Sequence, residues 1–454
     1  MKNRTFIADL KKQVGNSVTV CAWVDVRRDQ GKMVFFDFRD MSGTVQGVAL
    51  PKSAALEMAK ELRQMYTVAV TGIVNQRPEK NAQADKQNGD IELQIEEIKI
   101  LNSAQALPFD LDAELHLETH LDNLPLTLRT QRSRDIFTMQ ASILDAYSKS
   151  LQAQGFKEFI APSLVGGDAE GGAAAFKVEY FRETDAFLAT SPQFYKQIMV
   201  GPFERAFTIA KIFRAEKSAT TRHLSEATCM DFEMGFVENE REPMAVLEEA
   251  IRDTVRAVEE KHADIFKRFN ANVPLVPDEI PVLTLAEAHD TLGVPHEPDM
   301  EPEHERNICA WAKDKKQSDF IFITRYPTHK RAFYTYEDPS EAPFSRGFDL
   351  LFRGLEINSG AQRVHDYDQL IARMKERGLD PSKFSFYLQA FKYGLPPHGG
   401  SSTGLERFTA RMLEIPNVKE ATAFPRDMTR IDARLSEDPA FDRSLDSQYP
   451  IKSS

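Results

Sequence analysis

Between residues 15 and 50, apolar and polar positions alternate in three short runs, VTVCAWVDV, MVFFDFRD and TVQGVAL. A period of two sends successive side chains to opposite faces, so each run predicts a half-buried strand. The breaks at DQGK and MSGT read as hairpin turns. Two further strands are predicted at YTVAVTGIV and IELQIEEIKIL, with the polar loop QRPEKNAQADKQNGD between them and a helix-like insert, PKSAALEMAKELRQMY, before them. Five strands with one helical insert predict a small closed β-barrel over residues 1–103.

Residues 104–130 contain prolines and little periodicity, and read as a connector. Beyond them RSRDIFTMQASILDAYSKSLQAQGF has helical spacing and ends at Gly155, which suits a C-terminal cap. KEFIAPSL predicts a strand ending at Pro162. The run LATSPQFYKQIMVGPFERAFTIAKIFR is apolar enough to predict interior sheet. Next, FRAEKSATTRHLSEATCMDFEMGF sets two alternating runs around a polar turn, the pattern of an antiparallel hairpin. Its inward face would carry Arg214, Glu216, Arg222, His223, Asp231 and Glu233. FDLLFRGLEINSGAQRVHD predicts a buried strand. PPHGGSSTGLERFTARMLEIPNVKEATAFPRD predicts a glycine-rich turn, a helix from near Thr403 and a strand into FPRD. The whole reads as α+β, with a second domain over residues 131–435 and a polar, loosely ordered tail over 436–454.

Composition narrows the class. The chain has 454 residues, enough for two or three domains, and 42% hydrophobic with 28% charged residues is ordinary for a soluble protein. No apolar run approaches membrane-spanning length, and the first residues have neither an apolar core nor a cleavage site of the secretory kind. Three scattered cysteines argue against disulfides and structural zinc. Together these predict a cytoplasmic protein without a membrane partner. A net charge of -12 argues against indiscriminate nucleic-acid binding but leaves room for RNA binding at basic patches. A barrel of the OB type binds single strands by stacking bases on aromatics beside basic groups. Arg27, Arg28, Lys32, Phe35, Arg39 and Gln46 supply that combination, against the alternative that Phe35 is core and the arginines are a solvated face.

The charged face of the hairpin has two readings as well. Arginine forks fit phosphate oxygens, so it reads as a floor for a nucleotide; the alternative is a solvated face laced with ion pairs. Asp349, Glu356, Ser359 and Arg363 come together near a buried-looking strand. Two carboxylates and a hydroxyl suit Mg²⁺, while the alternative pairs the acids with Arg353 and Arg363. The glycine-rich GGDAEGGAAAF around Glu170 reads as a movable or plain surface loop, and Lys196 alone would be an ordinary surface lysine.

These strings resemble the class II aminoacyl-tRNA synthetases. FRAE with RHLSE is similar to their motif 2, the GGSSTGLER stretch to motif 3, and the helix, strand and Pro162 to the degenerate motif 1. SPQFYKQ and FPRD resemble the aspartyl branch of compact archaeal and eukaryotic type, and AWVDVRRDQGKMVFFDFRDMSGTVQ its anticodon-binding barrel. The resemblance runs from about Gly15 to Arg430. It implies a catalytic domain built on an antiparallel sheet flanked by helices, in a homodimer with Pro162 near the two-fold axis. L-aspartate would be activated with ATP and Mg²⁺, then transferred to the 3′ end of tRNA(Asp).

Residue by residue, the resemblance implies that Arg214 grips the α-phosphate and that Glu216, Arg222, His223, Leu224, Glu356 and Arg407 complete the ATP site. Arg214 and Arg407 would be the catalytic pair. Asp349, Glu356 and Ser359 would hold the metal. Lys196 and Arg363 would pair the substrate side-chain carboxylate, and Asp231, Glu170 and Gln193 the ammonium, with Ser191 and Ser359 alongside. Phe35, Gln46 and Glu92 would read the anticodon. Asparagine would be rejected because two buried cations without a counter-ion cost about 3–5 kcal/mol. The chain departs from the pattern at Ser401 and Ser402, where relatives carry a further glycine, and at Ala227, in place of an adenine-stacking phenylalanine. Losing that stack would weaken ATP binding by about 1–3 kcal/mol. Three alternatives stand beside the main reading: charging of tRNA(Asn) as well, to which Asp25 gives no clear answer, an asparaginyl enzyme, and a non-catalytic RNA-binding relative.

Overall fold

The computed structural model describes residues 4–83, 86–111, 113–167, 175–181, 184–216 and 220–427. The chain divides into two compact units, Met1–Ala113 and Glu114–Ser454. Glu170 and residues 436–454 lie outside the described residues.

The first unit is the closed barrel. Its strands are β1 (Ser17–Asp29), β2 (Val34–Asp40), β3 (Gly43–Ala49), β4 (Thr67–Gln76) and β5 (Ile91–Asn102), joined in the order β1-β2-β3-β5-β4, with helix α1 (Leu56–Glu61) between β3 and β4. Alternation decides what is inside. Val34, Phe36 and Phe38 are fully buried, and the rings of Phe36 and Phe38 stack with centroids 5.1 Å apart. Phe35, on the opposite face of β2, stays half-buried, so it is not a core residue. Gly72 sits where β4 irregularly pairs β5, and a Cβ there would meet the Gln94 carbonyl oxygen at 2.2 Å. The close approach of two backbones explains the glycine.

In the second unit, two short helices, α2 (Leu117–Asp122) and α3 (Leu124–Thr127), precede the long α4 (Gln131–Ala153). Thr130 caps α4 by accepting from Ser133 N, and Gly155, at φ +88° in the left-handed range, ends it. A three-stranded sheet follows in the order β7-β9-β8, from β7 (Leu164–Val165), β8 (Lys177–Glu179) and β9 (Asp185–Leu188). Of KEFIAPSL, Lys157–Glu158 is a strand, β6, and the final Leu164 opens β7, so the predicted strand is broken at its centre.

Helix α5 (Gln193–Phe203) corrects an expectation: the first half of the apolar run predicted as sheet is helical. Its second half is β10 (Arg205–Phe213), which forms a hairpin with β11 (Glu226–Gly235); Arg214 and Glu216, expected in the first strand of that hairpin, lie beyond the end of β10. Then come α6 (Arg241–Phe269), β12 (Val282–Thr284), α7 (Leu285–Leu292), α8 (Pro302–Lys316), β13 (Phe320–Thr324), β14 (Gly347–Phe352) and β15 (Leu355–Gln362). Helices α9 (Tyr367–Glu376) and α10 (Ser385–Lys392) lead to β16 (His398–Gly404) and α11 (Leu405–Met412). Residues after α11, as far as Asp427, form turns rather than the strand predicted into FPRD.

The large sheet has the order β12-β13-β14-β15-β16-β11-β10-β6. Its core packs Tyr147 and Leu151 of α4 and Leu247 and Ile251 of α6 with Phe207, Phe232 and Phe348 of the strands. Strands β15, β16 and β11 are central, with Ser402 paired to Asp231 on one side and to Ser359 on the other. Glycine is required at Gly400, where a Cβ would stand 2.1 Å from the Phe232 carbonyl oxygen. Of the neighbouring serines, Ser401 is fully buried with its Oγ accepting from Asn358 Nδ2, while Ser402 on the opposite face of the strand donates to Asp231 Oδ1 in the floor of the site.

Candidate active site

One cavity of about 370 Å³ lies over the central strands of the second unit. Ser191, Gln193, Arg214, Glu216, Arg222, His223, Leu224, Glu356, Ser359, Arg363 and Arg407 all line it. Four elements supply them: the start of α5, the turn after β10, strand β15 and the first turn of α11. Lys196, Asp231 and Asp349 are buried next to the cavity without lining it.

Beneath the floor is a buried ladder of charge. Lys196 Nζ is 2.8 Å from Asp231 Oδ2, 3.5 Å from Glu233 Oε2 and 3.0 Å from the Ser401 carbonyl oxygen. Arg363 Nε donates to Glu233 Oε1 at 2.9 Å, and its Nη2 donates to the Gly400 carbonyl oxygen at 2.9 Å. Ser402 Oγ donates to Asp231 Oδ1 at 2.6 Å. Burial opposes ionisation of Glu233, but the charges of Arg363 and Lys196 outweigh it and hold the carboxyl below its usual range. The two cations therefore carry two protein counter-ions, Asp231 and Glu233. This corrects the selectivity argument from sequence, which left Lys196 and Arg363 unpaired whenever the substrate carboxylate is missing.

The neutral His398 supports this ladder. Its Nε2 is 2.8 Å from Gln197 Nε2, Gln197 Oε1 accepts from Tyr387, and His398 Nδ1 is 2.8 Å from the Pro396 carbonyl oxygen. Burial is the main reason its pKa is pushed down to about 4. Gln193 Nε2 is buried at the cavity edge and has no hydrogen-bond partner among the described residues, so it is a donor suited to a ligand.

The other half of the cavity is built for polyanions. Arg407 Nη1 donates to the Glu356 carbonyl oxygen at 2.9 Å, and Arg222 Nη2 donates to both oxygens of Glu305 at 2.8 and 2.7 Å. His223 Nδ1 is 2.6 Å from Thr220 Oγ1; burial and then Arg407 lower its pKa. Arg214 stands beyond the end of β10, with Nη1 3.9 Å from Glu216 Oε1. Ala227, Ile212, Leu224 and Val418 form an apolar patch on the wall.

Sequence reasoning missed Arg331. It donates to Asp349 Oδ1 and Oδ2 at 3.0 and 2.6 Å and to Ser359 Oγ at 3.3 Å, with its guanidinium 3.7 Å from the Tyr326 ring centroid. Neither Arg353 nor Arg363 pairs with these acids: Arg353 bonds Asp319 and Arg363 bonds Glu233. Burial and the nearby Asp349 push the Glu356 carboxyl up to about 7, against the opposing pull of Arg407. Glu233 and Glu305 were also missed as site residues. Glu233 belonged to the charged hairpin face, whereas Glu305 lies far off in sequence on α8.

In the first unit, Asp37 of β2 pairs with Gln46 of β3, and Gln46 with Glu92 of β5. Gln46 Nε2 donates to Glu92 Oε2 at 3.3 Å. Phe35, two positions from Asp37, shares their face by the strand period. Asp25 is held by Arg39 Nε at 3.0 and 2.8 Å.

A closed five-stranded barrel, and a large sheet whose centre carries arginines over buried acids, define an aminoacyl-tRNA synthetase of class II. The chain belongs to the tRNA synthetases class II (D, K and N), whose family model matches residues 116–428, while an OB-fold nucleic acid binding domain matches 18–101. As a member of that family it is an aminoacyl-tRNA ligase with ATP as a substrate. It is 40% identical over 442 residues to an aspartate–tRNA(Asp/Asn) ligase of Thermus thermophilus, covering 94% of this chain and 99% of that one. It is 38% identical over 432 residues to an aspartate–tRNA(Asp) ligase of Thermococcus kodakarensis, covering 92% and 96%. Among solved structures, an asparaginyl-tRNA synthetase from Pyrococcus horikoshii with asparaginyl-adenylate superposes at TM-score 0.87 with 29% identity, covering 95% and 100%. An aspartyl-tRNA synthetase from Entamoeba histolytica gives 0.84 and 28%, covering 94% and 92%. Among the described residues, no helix is long and apolar enough to cross a membrane.

Proposed function

We propose that this ligase activates L-aspartate with ATP and transfers it to the terminal adenosine of tRNA(Asp). The observation that carries the choice of amino acid is Arg363 on the cavity wall, with Lys196 and Glu233 behind it. A guanidinium has only donors to offer. Aspartate accepts them with either carboxylate oxygen; asparagine must turn one amide NH₂ toward a cation or present a single oxygen. A lost hydrogen bond to a charged group is worth about 1.5–3 kcal/mol, which replaces the larger penalty expected for unpaired cations. The relatives at 36–40% identity named as aspartate ligases support the same reading.

In this reading the α-carboxylate of aspartate attacks the α-phosphorus of ATP, and pyrophosphate leaves. Arg214 and Arg407 neutralise the phosphate charge as the bond changes, so electrostatics and positioning supply the rate. A ribose hydroxyl of the terminal adenosine then attacks the aspartyl carbonyl and AMP leaves. The free donor of Gln193 and the Ser191 hydroxyl line the cavity where the amino acid's polar groups would be held, with Asp231, bonded by Ser402, buried behind them and proposed to complete the ammonium site. Glu170 belongs to this proposal by sequence alone.

Mg²⁺ fits the acids beside the triphosphate site. It needs only one or two protein carboxylates when phosphates complete its sphere. Burial, and after it the charge of Asp349, raises the pKa of Glu356, and a cation between the two acids would offset the second of these. Glu356, Ser359 and Asp349 would hold it, Asp349 after loosening Arg331. Once bound, the ion would offset negative charge on the phosphates.

The outer barrel face of Phe35, Gln46 and Glu92 is proposed to read the anticodon, in a domain of residues 1–103 joined by 104–130 to the catalytic domain at 131–435. A homodimer is proposed through the Pro162 segment, supported by Ile160 at 85% exposure and Leu164 at 41%. Three buried free cysteines support the cytoplasm as its place. Charging of purified tRNA(Asp) and tRNA(Asn) with labelled aspartate tests the proposal: tRNA(Asp) must be charged. Charging of tRNA(Asn) as well would define the broader enzyme that the Asp/Asn relatives represent, and charging of neither would refute the assignment.

A further inference from the structure

We infer that Glu305 is a positioning residue for the nucleotide site, acting through Arg222; the inference rests on the ATP-site reading above. Glu305 lies on α8, an element without any role so far. Its side chain is 6% exposed, against 20% for Arg222. It occupies the apolar stripe of the helix with Ile308, Cys309 and Ala312, all buried. A carboxylate in such a stripe is retained at a cost in desolvation, and the hydrogen bonds it makes say what it is for.

Those bonds join two parts of the cavity. Both oxygens accept from Arg222 Nη2, at 2.8 and 2.7 Å, and Oε2 also accepts from the backbone N–H of Glu356 at 3.2 Å. Arg222 sits in the turn between β10 and β11, the half-exposed rim of the cavity, whereas Glu356 is on the rigid central β15. Glu305 therefore ties a rim arginine to the sheet. Helix α8 is itself closely seated: Gly354, in the β14–β15 turn at φ +81°, lies so near that a Cβ would be 3.0 Å from Arg306 Cγ. With Nη2 anchored, the rest of the Arg222 fork is presented to the phosphates of a nucleotide, and less rotamer freedom is lost on binding.

The test is equilibrium binding of a non-hydrolysable ATP analogue by titration calorimetry to the wild-type chain, Glu305→Gln, Arg222→Gln and the double variant. Glutamine keeps the shape but removes the charge. The dissociation constant is expected to rise about tenfold in Glu305→Gln, the equivalent of one charge-assisted hydrogen bond. In the Arg222→Gln background the same change is expected to have no further effect, and KM for aspartate stays unaltered in Glu305→Gln. Unchanged analogue affinity in Glu305→Gln, or an equal loss in both backgrounds, overturns the inference. A wild-type chain that binds no analogue overturns the ATP-site reading itself. Should Glu305→Gln melt below the assay temperature, Glu305→Asp, one methylene shorter, carries the same expectations and the same refutation.

Discussion

Lys196 is the residue whose replacement separates charge balance from catalysis. Lysine and its partner Asp231 are both 0% exposed, at 2.8 Å, and if the ammonium goes Asp231 loses that charged partner and keeps neutral ones such as the Ser402 hydroxyl, at 2.6 Å. Lys196→Met nearly conserves volume, so the expected loss is that of orphaning a buried carboxylate, about 3–5 kcal/mol of unfolding free energy. Adding Asp231→Asn removes the orphaned charge, and the double variant should recover to within about 2 kcal/mol of wild type. Neither variant should form aspartyl-adenylate. Urea unfolding followed by circular dichroism measures the first quantity, and adenylate formation the second. A loss below about 1 kcal/mol in Lys196→Met, or a double variant less stable than the single, would refute the reasoning, because the ladder would then not be a coupled ion network.

Other expectations follow from single groups. His398 is neutral in the fold, with a pKa near 4 against an ordinary value of 6.5. Between these values the unfolded chain binds the extra proton, so stability rises with pH from 4 to 6.5 and acidification removes about 3 kcal/mol. His398→Gln should flatten that part of the stability–pH curve; an unaltered slope would exclude the histidine as its source. Phe35→Ala should weaken tRNA binding by about 1–3 kcal/mol in a filter assay while leaving amino-acid activation intact, since stacking on the barrel face is separate from the chemistry. Gly400→Ala, with its Cβ 2.1 Å from the Phe232 carbonyl oxygen, should cost about 1–3 kcal/mol in thermal stability and lower adenylate formation; a neutral result would show that β16 yields easily.

The barrel was legible because each strand has one wet and one dry face, which writes a period of two into the sequence. Phe35 and Phe36 illustrate it: neighbours in sequence, one faces out and the other is fully buried. The hairpin of β10 and β11 was legible only in part, since β11 is buried on both faces from Cys229 to Gly235 and the alternating Arg214 and Glu216 lie beyond the end of β10. Helix α5 was not, because its buried face carries the polar Gln193, Lys196 and Gln197 while the apolar Phe194 and Ile198 are only partly buried, so hydropathy does not mark the helical period, and its Pro202 and the adjoining strand disguise its end. The nucleotide arginines could be named from motifs, yet their partners could not. Arg331 meets Asp349 across 18 positions, and Glu305 meets Arg222 across 83. Nothing local in either stretch marks the pairing; a glutamate in the buried stripe of α8 was the one available signal. The counter-ions of Lys196 and Arg363 illustrate a further limit, since spacing names the charges but only the fold says which neutralise one another.

The most direct test of selection by the Arg363–Glu233–Lys196 ladder is ATP–pyrophosphate exchange by the purified chain, with aspartate and with asparagine in separate reactions. Exchange that depends on aspartate and stays at background with asparagine is the predicted result. Exchange with asparagine and none with aspartate would contradict the account.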